Sequence, residues 1–247
     1  MSFQYVNEEE IPPQESNNET DSTPNKLPIY SIILIACIVV VSAVQLATNL
    51  NQSIELAGFD KSAFLQKHDY WRIFTGGALH GGIIHLAFNS YALYSFGKLI
   101  EFLSNNAHLA IVFLLSIVGG GLLSLLVYPN GVSVGASGGI IGFLGYLAVY
   151  AYKRRELLAP QFLRSLLINI GFIALYGIAL AKDIDNFAHL GGLLAGAIYA
   201  FFQIPSDLRK DPRIVSPNVE LAGMVSLGFF IIISIFSILL ILQIIRL

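Results

Sequence analysis

Charge is what this sequence has least of. Asp, Glu, Lys and Arg together make up 12% of its 247 residues, against about a quarter in an ordinary water-soluble domain. A surface so short of charge cannot face water all round, so lipid is the natural solvent for most of it. The net charge of −2 excludes a broadly basic nucleic-acid binder, and no nucleic-acid partner is expected. Cysteine is almost absent as well. Cys37 stands alone inside an apolar run, so no intrachain disulfide forms and no redox compartment is indicated. No cleavable signal pattern is expected, because residues 1–28 are polar and acidic where a leader would be basic and then apolar. The first apolar span is expected to act as an uncleaved anchor.

Long hydrophobic runs are what the chain has in plenty. After an N-terminal stretch with six acids, one lysine and four prolines, too polar to bury a core and expected to be a disordered tail, seven apolar stretches follow. They lie at about 29–48, 81–100, 107–127, 135–152, 163–182, 186–203 and 221–246, each near the ~20 residues that a bilayer-crossing helix needs. No alternating strands compete with them, so the fold class is all-α, a polytopic membrane helical bundle. With the N-terminus cytoplasmic, nine Lys and Arg fall on the inner side (Lys26, Lys98, Lys153, Arg154, Arg155, Arg164, Arg209, Lys210, Arg213) and five on the outer (Lys61, Lys67, Arg72, Lys182, Arg246). That excess orients the chain N-in, and seven spans put the C-terminus outside. Residues 49–80 are too long for a tight turn and too apolar for a free loop. They are expected to form short amphipathic pieces in the outer interface, with Tyr70 and Trp71 at headgroup depth.

Polar groups inside spans are costly, and each is a candidate for function. "HGGIIHLAFNS" carries His80, His85 and Asn89, "GASGGIIG" carries Ser137, and "DNFAHLGG" carries His189. Spans two, four and six all begin at the outer face, and these residues fall within about 15 Å of their outer ends. His85 and Asn89, four apart, share a helix face. His80 and His85, five apart, lie about 140° around a helix and are poorly placed to hold one metal. Ser137 and His189 have the chemistry of a nucleophile and its general base. The N-terminus of span four offers unpaired N–H groups around Ser137 for a developing oxyanion, and His85 and Asn89 can add side-chain donors. Asp185, one turn before His189, is placed to orient it or to cap the helix, and its position at the helix mouth favours the cap. His68 and His108 fall in expected loops and read as solvated. Gly135, Gly138, Gly139, Gly142 and Gly145 thin one side of span four, and Ala188, Gly192 and Gly196 form a small-residue stripe on span six. Such stripes let helix backbones approach closely. No Walker lysine follows the glycines, and neither HExxH nor GxGD occurs, so phosphate, zinc and aspartyl chemistry are not expected.

"HGGIIHLAFNS", "GASG" and "DNFAHLGGLLAG", in this order on alternate spans, resemble the rhomboid family of intramembrane serine proteases. "YWR" at 70–72 and Glu101 match as well, and the resemblance covers about residues 29–203. It implies a six-helix catalytic core over 29–203, with 1–28 as cytoplasmic tail, 204–220 as linker and 221–247 as a seventh, peripheral transmembrane helix. It implies a Ser137–His189 dyad with no third member and no cofactor or metal. The oxyanion site would come from the Ser137 backbone with His85 and Asn89, supported by His80, Gly135 and Gly138. Trp71 and Arg72 would brace the first loop and Glu101 would tie helices at the cytoplasmic side. The implied partners are transmembrane protein substrates reached sideways through the lipid bilayer, with the fifth span or its adjoining loop moving to admit them. The implied place is a cell membrane, taken as a bacterial inner one, and no feature of the sequence speaks to oligomeric state. Many members carry an aromatic residue four positions after the serine, under the catalytic histidine, where this chain has Ile141. An inactive relative would typically have lost Ser137 or His189, and a transporter should show an internal repeat, which this sequence does not.

Overall fold

The computed structural model describes residues 27–179 and 184–245. The acidic N-terminal stretch, and the Lys182 and Arg246 used for orientation, lie outside the described residues. Seven long helices follow the seven apolar runs: α1 Ile29–Ala47, α5 Ile83–Leu103, α6 Asn106–Val127, α7 Ser137–Lys153, α8 Pro160–Ala179, α9 Asn186–Gln203 and α10 Pro217–Ile241. Three short helices, α2 Leu50–Ala57, α3 Lys61–Gln66 and α4 Arg72–Thr75, occupy the segment between α1 and α5. The one sheet among the described residues is a two-residue antiparallel clip, with β1 Phe59–Asp60 paired to β2 Val132–Ser133.

Helix α7 is the centre of the bundle, with twelve of its 17 residues buried. Helix α8 is at the periphery and buries only Leu166 and Gly177. The glycines explain the difference. Gly192 and Gly196 of α9 lie against the backbone carbonyls of Gly138 and Gly142 of α7, and Gly145 lies against that of Leu193. On the other side of α9, Gly191 meets Gly119 of α6, and Gly120 of α6 meets Ala188. Helices α6, α7 and α9 thus share a seam where backbone touches backbone. The expected stripe of Ala188, Gly192 and Gly196 divides between two partners, with Ala188 facing α6 and the glycines facing α7.

Helices α1, α6, α8 and α10 are long and apolar enough to cross a membrane by length and composition alone. Helices α5, α7 and α9 do not meet that measure. They are the three that carry the candidate polar residues.

The first loop is a built object rather than a tether. Asn49 caps α2 by accepting from Gln52 N–H, and Asp60 caps α3 by accepting from the N–H groups of Ser62 and Ala63. The buried Arg72 guanidinium donates to the carbonyls of Glu55 and Gly58 and pairs with Asp69 at 2.9 Å. Tyr70 is exposed, but Trp71 is not a free headgroup anchor. It is half-buried, edge-on to Phe236 of α10 at 5.5 Å between ring centroids. The seventh helix is also less peripheral than its position in the sequence suggests. It packs on α1, α6, α2 and α4, through Phe230 on Phe113 and Phe229 on Phe74. Glu101 caps α1 from the far end of α5, accepting from Ser31 N–H and Oγ at 2.8 and 2.6 Å. That replaces the side-chain cap Pro28 cannot supply.

Two glycine substitutions separate packing from propensity. A Cβ at Gly196 would collide with the Gly142 carbonyl, whereas one at Gly171 on α8 would meet nothing within 4 Å. Gly196→Ala is expected to destabilise by about 1–3 kcal/mol despite alanine's better helix propensity. Gly171→Ala is expected to be neutral or to stabilise by up to about 1 kcal/mol. Thermal unfolding in detergent checks both, and equal midpoints would contradict the seam.

Candidate active site

Ser137 is the first residue of α7, and His189 lies in the first turn of α9. The seam sets these two helix starts side by side, and Ser137 Oγ lies 2.9 Å from His189 Nε2. Both residues are half-buried. The first helical bond of α7 runs from Ile140 N–H to the Ala136 carbonyl. The N–H groups of Ser137, Gly138 and Gly139 therefore have no partner from the helix itself. Gly138 is buried, and a Cβ there would meet the Ala188 carbonyl at an ordinary contact distance of 3.5 Å.

His85, in the first turn of α5, closes the other side. Its Nδ1 accepts from Gly81 N–H at 3.3 Å. A neutral imidazole accepting at Nδ1 carries its proton on Nε2. That edge of the ring faces Gly135, where a Cβ would come within 2.7 Å of His85 Cε1 and 2.9 Å of Nε2. Gly135 also has φ of +128°, and its N–H donates to the Gly76 carbonyl at 2.9 Å. The residue is glycine for two reasons, space and backbone conformation. Asn89 is buried, one turn further along α5, and its Nδ2 donates to the His85 carbonyl at 2.9 Å within its own helix. Its second amide hydrogen remains available.

His80 is gripped by α1. Gln45 accepts from His80 N–H at 2.9 Å and donates to its carbonyl at 3.3 Å, while Ser42 Oγ lies 3.2 Å from Nδ1. Its ring stands edge-on to that of His85, with centroids 5.2 Å apart. Burial, and then the neighbouring His85, push the His80 pKa down to about 3. It is therefore neutral and acts on His85 by packing.

Asp185 is the N-cap of α9, as its position suggested. One oxygen accepts from Ala188 N–H at 3.0 Å. The other accepts from Ser124 and Ser133 and pairs with Lys61 at 3.3 Å. Among the described residues no hydrogen bond joins its carboxylate to the His189 ring. Burial raises the Asp185 pKa, but the hydrogen bonds and Lys61 outweigh it and hold the carboxyl below its ordinary range.

The reading of His108 as a solvated loop residue is corrected. His108 lies inside α6, buried, with Nδ1 2.9 Å from the Tyr199 hydroxyl. The Asn105 side chain caps the helix by accepting from Ala107 N–H, which starts α6 a residue earlier than the apolar run indicates. His68 is exposed in the loop after α3, as expected. Among the described residues no group of three or more His, Cys, Asp or Glu is placed to hold a metal ion. Lys61, Ser124 and Ser133 were missed by the sequence reasoning. Lys61 carried only the signal of an outer-side cation, and the two serines carried none.

The chain matches the Rhomboid domain family over residues 67–206, more than half its length. It is a member of the rhomboid family. RHOMBOID-like protein 1 of Arabidopsis thaliana is 32% identical over 155 residues, covering 60% of this chain and 38% of that protein. Rhomboid protease GluP of Bacillus subtilis is 34% identical over 143 residues, 56% of this chain and 27% of GluP. Rhomboid-like protease 3 of Toxoplasma gondii is 29% identical over 147 residues, 59% of this chain and 56% of that protein. In each case the match spans less than two thirds of the relative's own length. The rhomboid match takes in α5 to α9 and begins within the first loop, leaving α1 and α10 outside it. Its apolar helices make this rhomboid an integral, multi-pass membrane protein.

The His80 environment gives a pH test. An unfolded histidine titrates near 6.5, and His80 in the fold near 3. Between those values the unfolded chain holds more protons, so His80's contribution to stability is complete above about pH 6.5 and is lost as pH falls towards 3. The unfolding midpoint in detergent is expected to drop over that interval, and His80→Asn is expected to flatten the slope. An equally steep slope in the variant would assign the acid sensitivity to other groups.

Proposed function

We propose that this protein is an intramembrane serine endopeptidase that hydrolyses peptide bonds in or near transmembrane segments of other membrane proteins, with Ser137 as nucleophile and His189 as general base. The observation that carries the reading is the 2.9 Å approach of Ser137 Oγ to His189 Nε2 between two helix starts. GluP and the Toxoplasma relative, both named as proteases, favour the same chemistry.

The steps follow from the atoms present. His189 Nε2 takes the hydroxyl proton as Ser137 Oγ attacks the scissile carbonyl. The new C–O bond places negative charge on the former carbonyl oxygen. That charge develops beside the N–H groups of Ser137 and Gly138, the His85 Nε2–H and the free Asn89 amide hydrogen. The imidazolium then gives its proton to the leaving amine as the C–N bond breaks. A water, deprotonated by the same histidine, releases the acyl group and restores Ser137. No cofactor or metal takes part. The loosely buried α8 is the element whose displacement would let a substrate helix approach sideways from the lipid. An N-in orientation, with the dyad near the outer face of a bacterial cell membrane, completes the proposal.

Cleavage of a purified single-span substrate in detergent tests it. Ser137→Ala and His189→Ala are each expected to lower kcat by about a thousandfold or more while the protein stays folded. His85→Ala and Asn89→Ala are expected to lower kcat by about ten- to a hundredfold, with KM changed less. Cleavage that survives in Ser137→Ala overturns the mechanism, and inhibition by a chelator would point to a metal.

A further inference from the structure

The nucleophile and the base each lie four positions beyond a polar residue, and those two polar residues are bonded to each other. Ser133 stands four positions before Ser137, Asp185 stands four before His189, and Ser133 Oγ donates to the Asp185 carboxylate. The same carboxylate oxygen accepts from Ser124, near the C-terminus of α6, and lies 3.3 Å from Lys61 Nζ, at the start of α3. A helix cap needs one acceptor, and the other oxygen of Asp185 already provides it to Ala188 N–H at 3.0 Å. The three further donors come from three other segments of the chain. Lys61 is itself held, since its N–H donates to the Gly131 carbonyl at 3.2 Å and its side chain is only 3% exposed. The β1–β2 clip joins the same two loops.

We propose that Asp185 is a positioning residue, whose partly buried, Lys61-paired carboxylate sets the start of α9 in register with the start of α7 and so holds His189 Nε2 on Ser137 Oγ. The inference rests on the Ser137–His189 reading and names what keeps that pair aligned. Its negative charge is the essential feature. Asparagine can keep the cap and the volume, but it leaves the Lys61 ammonium buried without a counter-charge. Small displacements of catalytic groups are costly in rate even when the substrate binds as before.

The test uses the full chain in detergent with a single-span substrate, reading kcat and KM, and a phosphonofluoridate probe that labels an activated serine without needing a bound peptide. Asp185→Asn is expected to lower kcat and the labelling rate by about thirtyfold with KM within about twofold. Lys61→Met is expected to lower both by about tenfold, and Lys61→Arg to retain most of the activity. In the double variant Asp185→Asn/Lys61→Met the losses should not multiply, and kcat should exceed that of Asp185→Asn alone. A merely structural cap would shift the unfolding midpoint and leave kcat of the folded protein unchanged. Either that result or multiplicative losses would overturn the proposal. If Asp185→Asn does not fold, Ser133→Ala removes the α7–α9 tie and keeps the ion pair and the cap. A fall of about threefold or more in kcat supports the proposal, and an unchanged kcat removes it. Ser137→Ala runs beside them. Labelling or cleavage by Ser137→Ala sinks the dyad itself, whereas an inactive Ser137→Ala beside a fully active Asp185→Asn sinks only the positioning role.

Discussion

The Ser137 hydroxyl reaches only one short side chain beyond its backbone, so the helix that brings the imidazole must come almost to backbone contact. That demand falls on α7 and α9, and glycine meets it. Gly192 and Gly196 rest on the carbonyls of Gly138 and Gly142, where any Cβ would collide. Helix α6 closes the same seam from the other side through Gly119, Gly120 and Gly191. In lipid there is little hydrophobic gain in pressing apolar helices together, so close packing has to supply the association. The glycines therefore hold the bundle together and also set the 2.9 Å separation of Ser137 and His189.

A seam of glycine and polar residues makes poor lipid-facing surface. The helices that form the site, α5, α7 and α9, fall short of a membrane span by length and composition taken together, while α1, α6, α8 and α10 meet that measure. Polar ties at the helix ends secure the arrangement where backbone groups would otherwise go unpaired. Glu101 closes the N-terminus of α1. Arg154, at the end of α7, donates to the carbonyls of Pro205, Asp207, Leu208 and Lys210 in the linker before α10. Tyr146 donates to Ser104, and His108 bonds Tyr199, across the bundle interior.

The sequence made the spans legible because apolar length is a local property, and seven runs became seven long helices. The meeting of Ser137 with His189 was legible too, since alternate spans start at one face and both residues sit in first turns. What escaped was set by partners distant in sequence. Lys61 read as an outer-side cation because nothing near it announces Asp185, 124 positions away. His108 read as a loop residue although it lies inside the apolar run at 107–127, because nothing near it announces its partner Tyr199, 91 positions away.

Partner number then separates the polar residues that are fully tied from those that are not. Asp185 gathers four donors, Gln45 grips His80 at two points, and Arg72 spans two carbonyls and a carboxylate. A buried polar group so fully paired is held in place and has little capacity left for a substrate. Ser137 and His189 are different. Among the described residues their side chains share one hydrogen bond, with each other, and the N–H groups beside Ser137 are left open by the helix start. The fold thus spends its hydrogen bonds on the shell and leaves the centre under-satisfied. In the proposed mechanism, that leaves donors open to an incoming peptide carbonyl.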